Sequence, residues 1–130
     1  MPINWTALTS DQLAAEASYH QNDHDDGSSD FFDVAMATWS VVSIPSEMLN
    51  VFKDEQAAFS WIQEEITFLK ADGNIGRANM YEDMLLNGVQ DPIIVGKRSN
   101  TLALWDGFHR VAISMVRKES VLTILGEYKV

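Results

Sequence analysis

Leu102-Ala103-Leu104-Trp105-Asp106-Gly107-Phe108-His109-Arg110-Val111-Ala112-Ile113 is the stretch whose reading decides the fold. Its apolar start reads as a short buried strand, Asp106-Gly107 breaks that strand, and a helical pattern begins at once with His109 and Arg110 in its first turn. A strand that passes through a glycine turn into a helix aims unpaired N–H groups, the positive end of the helix dipole and two side-chain donors at one place. Such a place suits a phosphate.

Working outward, Ile93-Ile94-Val95 and residues 101–105 flank a five-residue hairpin loop at 96–100, with Lys97 and Arg98 at its tip. After the Val111, Ala112 and Met115 helix face, residues 117–120 turn into a last strand at 121–125. Upstream, residues 38–44 are rich in Thr, Trp, Val and Ile and are closed by Pro45, which suits a strand. Asp54 is placed to cap a helix that carries Phe59, Ile62, Ile66 and Leu69 at helical spacing, with Trp61 and Phe68 as a second stripe. Residues 77–87 read as another helix, with Met80, Tyr81, Met84 and Leu85 inward and Gly88 as its stop. Near the start, Thr9 followed by Gln12 forms a capping box for a helix of about ten residues. Alternating β-rich runs and helical stripes predict an α/β (α+β) domain, with a small mixed sheet of four strands packed with helices.

Asp106-Gly107-Phe108-His109-Arg110, preceded by Gln90-Asp91-Pro92-Ile93-Ile94-Val95-Gly96 and followed by Val111-Ala112-Ile113, resembles the ParB/sulfiredoxin-like superfamily. The resemblance is strongest over about residues 88–125 and reaches back to a first strand at 38–45. Residues 1–30 stand outside it, as an N-terminal helix and acidic linker before a domain at 31–130. It implies nucleotide phosphates at the turn, in a family of CTP-using partition proteins, sulfiredoxins, free-serine kinases and small ATPases or nucleases of mobile elements. Sulfiredoxins carry a cysteine just before the His-Arg pair. Phe108 stands there in this chain, which excludes sulfinic-acid reduction. Partition proteins follow this domain with a helix-turn-helix, and no such region follows here.

Composition narrows the partners. The 130 residues suffice for one domain with a real core, and with no cysteine there is neither a disulfide, a thiolate metal site nor a cysteine nucleophile. The formal charge is −10, with no Lys or Arg before Lys53 and most basic residues after Lys97. Duplex DNA needs several cations on phosphates at once, so none is expected to bind, whereas a small anion needs only a local pocket. Neither a membrane-length apolar run nor a leader pattern is present, so a cytoplasmic protein is expected. His20 and His24 lie four apart beside Asp23, Asp25 and Asp26, the spacing of a helical metal pair; ending in Gly27-Ser28-Ser29, the run reads instead as a solvated loop.

The expected site is Gly107, Phe108, His109 and Arg110 around the phosphates, with Asp106 holding Mg²⁺ through oxygen. The resemblance adds Glu47, since the serine-kinase members place a catalytic acid just past the first strand. On the residues alone, Glu47 is an acid favoured by a helix N-terminus. With Glu47 and Asp106 as catalytic carboxylates, the expected function is an ATP-dependent hydrolase or phosphotransferase: an ATPase, nuclease or small-molecule kinase that uses ATP or another nucleotide. The alternative is a catalytically inactive acidic module or inhibitor, from a mobile element, that docks on a protein partner.

Overall fold

The computed structural model describes residues 4–23 and 36–128. In chain order these form α1 (Ser10–Asp23), β1 (Ala37–Pro45), α2 (Glu55–Ala71), α3 (Ile75–Asn87), β2 (Ile93–Arg98), β3 (Thr101–Asp106), α4 (Phe108–Val116) and β4 (Ser120–Tyr128). Single 3-10 turns lie at Trp5–Ala7 and Ser46–Leu49. The strands pair in the order β1-β4-β2-β3. β4 runs antiparallel to β1 and parallel to β2, and β2 is antiparallel to β3, which makes the mixed sheet expected for a small α+β fold.

Strand side chains alternate between faces, and both faces of this sheet are covered. Ile44, Ile93, Val95, Val121 and Leu125 belong to one core with α2, α3 and α4. Trp39, Ile94, Trp105, Ile124 and Tyr128 belong to a second core with Leu13 and Ala17 of α1. The central strands therefore read as continuous apolar runs rather than as alternation.

The capping box forms as expected: Gln12 N donates to Thr9 Oγ1 at 3.2 Å, and Thr9 N donates to Gln12 Oε1 at 2.8 Å. From there α1 continues to Asp23 instead of stopping near His20, because nothing in Gln21-Asn22-Asp23 breaks a helix as Gly27 would. Residues 24–35, and the side chains of 20–23, lie outside the described residues, and with them the His20 and His24 pair and the acidic run. The helix assigned above to a separate N-terminal segment thus shares a core with the sheet, and Trp39 N donates to Ser10 Oγ at 3.2 Å.

The hairpin is tighter than its sequence indicates. β2 runs through Lys97 and Arg98 to a turn at Ser99-Asn100, with Ser99 at φ 56°. Between β3 and β4, a β2 backbone satisfies its polar groups by prolonging both ladders rather than leaving them in a wide loop. Arg98 accordingly lies with its guanidinium 5.3 Å over the Tyr128 ring, not at a loop tip.

Asp54 caps α2 by accepting from Ala57 N at 2.8 Å, and Ala58, Ile62 and Ile66 form the buried stripe. Phe59 and Phe68 stay exposed, whereas Trp61 packs on Phe52. On α3, Ala78 and Tyr81 are buried, Met84 and Leu85 pack against the core, and Met80 faces outward. Arg117 donates to the carbonyls of Leu85 and Leu86 at 2.9 and 3.0 Å, which satisfies the C-terminal end of α3. Between α2 and the sheet, α4 buries Val111 through Met115 without a break.

Candidate phosphate site at the start of α4

Gly107 is required twice over. Its φ of 114° lies where L side chains are strained, and an added Cβ would sit 2.5 Å from Ile93 Cγ2. The turn therefore hugs β2 and releases α4 at a fixed angle. Val111 N returns to Gly107 O at 3.0 Å, and no side chain caps α4 among the described residues. The first-turn N–H groups of Phe108, His109 and Arg110 are the helix donors of that end.

In front of this end is an open cavity of about 560 Å³, walled by α2, α3, the segment after α3 and the Asp106–Arg110 turn. Such a volume falls in the range of small-molecule sites. Its basic side chains are Arg77, His109 and Arg110; Asp83, Asp91 and Asp106 add carboxylates, while Met80, Met84 and Trp105 add apolar surface. Arg110 Nη1 donates to Pro92 O at 2.9 Å, which anchors one arm of the guanidinium to the segment before β2. Arg77 Nε donates to the Tyr81 hydroxyl at 3.1 Å.

His109 is held more firmly than a surface donor would be. Its ring stacks on Tyr81 at 4.4 Å with a 7° interplanar angle, and Trp61 lies 4.8 Å away at 46°. Its Nε2 is 3.4 Å from Glu65 Oε2. Burial lowers the imidazole pKa below the ordinary 6.5; the Glu65 hydrogen bond and charge work against this, and the charges of Arg77 and Arg110 reinforce it.

His109 is accordingly neutral at pH 7. A histidine titration followed by NMR should place its midpoint below 6.5, and a midpoint at or above that value would contradict the burial argument. Because the unfolded chain takes up the proton first as pH falls, the imidazole withdraws stability from about pH 6.5 down to its folded pKa, and no further below it.

Compared with known protein families, curated proteins and solved structures, the chain gives no match.

Asp106, Gly107, Phe108, His109 and Arg110 all border the one cavity. Glu47 does not. It lies in the 3-10 turn after β1 and borders a different hollow, with Ser46, Lys53 and Lys118. β1 and β3 are opposite edges of the sheet and end on the same side of it, and the Ser46–Leu49 turn after β1 comes into contact with β3. Sequence reasoning took Trp61 and Tyr81 only as packing positions and did not single out Glu65 or Arg77 for the site. The available signal was spacing: Trp61 and Glu65, like Arg77 and Tyr81, are four apart and share a helix face.

For Mg²⁺, the donor chemistry fits. The cavity offers carboxylate oxygens, and among the described residues no group of three metal-binding side chains forms a closed cage. Mg²⁺ at nucleotide sites is held by one or two carboxylates together with the phosphates, and Asp106 is one of the carboxylates that border the cavity.

Proposed function

We propose that the cavity at the start of α4 binds the phosphates of a nucleotide, ATP or a close relative with Mg²⁺, and that the protein is an ATP-dependent hydrolase or phosphotransferase of the ParB/sulfiredoxin-like type. The observation that carries this reading is the convergence of Arg77, Arg110 and the uncapped helix end at Gly107 on one cavity of nucleotide size. Cationic side chains and a helix N-terminus act together on phosphate oxygens. Asp106 supplies an oxygen for the metal, and Met80, Met84 and Phe108 supply apolar surface for a base.

Glu47 does not border this cavity, so in this proposal acid or base work falls to groups that do. Thermal unfolding with and without ATP and Mg²⁺ tests the proposal. Saturation at a hundred times the dissociation constant stabilises by about 2.7 kcal/mol, a rise of roughly 10 °C for a chain of this size.

A second reading rests on Met80 and Phe108, both about half exposed at the cavity. A catalytically inactive acidic module would offer them to a protein partner. No nucleotide would then shift the melting temperature.

A further inference from the structure

The cavity wall contains a buried-side arrangement that phosphate binding does not use. His109 borders the cavity, whereas Glu65, which meets its Nε2 at 3.4 Å, stands behind it on α2 and is not part of the cavity lining. Tyr81 stacks on the ring and Trp61 packs against it at a tilt. A carboxylate on one ring nitrogen fixes the proton there and leaves the other as an acceptor. With Nε2–H directed to Glu65, that acceptor is Nδ1, which has no hydrogen-bond partner among the described residues.

We propose that His109 is the general base of the site, that Glu65 and Tyr81 are its positioning residues, and that the proton it takes is that of a water attacking a phosphoryl group held at Gly107 and Arg110. This rests on the phosphate reading above. In the step, the attacking oxygen forms a bond to the terminal phosphorus as the bond from phosphorus to the bridging oxygen breaks. The nucleoside diphosphate leaves with that electron pair, and the nucleophile's proton passes to Nδ1 and then to solvent. Water as nucleophile gives inorganic phosphate. The charged groups facing the imidazole are Glu65 from α2 and Arg77 and Arg110 from α3 and α4, and they oppose one another. With burial they favour the neutral ring, the form a base requires.

The test uses the full chain with ATP and Mg²⁺, reading ATP affinity by calorimetry and inorganic phosphate release across pH 5 to 9. Wild type should bind ATP and release phosphate, with an acid limb that follows the His109 titration. At saturating ATP, His109→Gln should lower phosphate release by roughly 10²- to 10⁴-fold and lose the acid limb. Glu65→Gln should bind ATP normally, fall less, and move the acid limb to lower pH, because the carboxylate that raises the imidazole pKa is gone. A structural role for Glu65 would not move that limb. Independently of any ligand, ¹⁵N spectra of the imidazole should show the Nε2–H tautomer.

Full phosphate release by His109→Gln, ATP binding without phosphate release in wild type, or an Nδ1–H tautomer would each overturn the dyad while leaving the phosphate site standing. Absence of ATP binding in wild type would remove both.

Discussion

Gly107→Ala is expected to lower stability by about 2–6 kcal/mol, the sum of a strained positive φ and a side chain forced against the core. The Cβ would lie 2.5 Å from Ile93 Cγ2 and 3.4 Å from the Ile93 backbone, and Ile93 is fully buried, so neither partner has room to withdraw. For a domain of this size the loss corresponds to a fall in melting temperature of roughly 10–20 °C. Gly76 is the control. A Cβ there meets nothing within 4 Å, so Gly76→Ala should be neutral or slightly stabilising. Equal stability of the two variants would mean that the Gly107 turn is not pressed on β2, and the fixed aim of α4 would fall with it.

Trp39→Ala carries the second large effect, about 3–5 kcal/mol, as for other buried large aromatics. Trp39 is 3% exposed on β1 and lies 6.3 Å from Trp105, ring to ring, in the core that takes in Leu13 and Ala17 of α1. Its ring also lies over Gly126, where an added Cβ would come within 2.7 Å, so the residue beneath the ring has no side chain to fill the space it leaves. Denaturant unfolding measures the loss directly. A loss under about 1 kcal/mol would mean that the α1 layer adds little to the fold.

That α1 layer marks a limit of the sequence. Of the α1 positions whose side chains are described, only Leu13 and Ala17 are buried, and two residues in an alanine-rich helix make a weak stripe. Its partner face consists of Trp39, Ile94, Trp105, Ile124 and Tyr128, drawn from four strands, and only the pairing of those strands brings them together. By contrast, local chemistry marked the capping box at Thr9, the Asp54 cap, the stop at Gly88 and the strand-glycine-helix junction at Gly107, since each is set by residues within one or two turns of chain.

The candidate site divides along the same line. Asp106 through Arg110 are contiguous and were legible together. Glu47 was joined to Asp106 because both follow strands; its turn does touch β3, but the two carboxylates border different hollows. The Trp61, Glu65, Tyr81 and His109 cluster spans three helices, and its residues meet only once α2 and α3 pack on α4.

The central claim is that the Gly107 turn holds nucleotide phosphates, and titration calorimetry with ATP and Mg²⁺ on wild type and Arg110→Ala tests it most directly. Arg110 keeps one guanidinium arm on Pro92 O and borders the cavity, so its removal deletes a charge-assisted contact worth about 1.5–3 kcal/mol. The account predicts saturable binding by wild type and a ten- to hundred-fold weaker dissociation constant for Arg110→Ala at unchanged stoichiometry. Equal affinity in the two proteins, or no heat of binding in wild type at millimolar ATP, would contradict it.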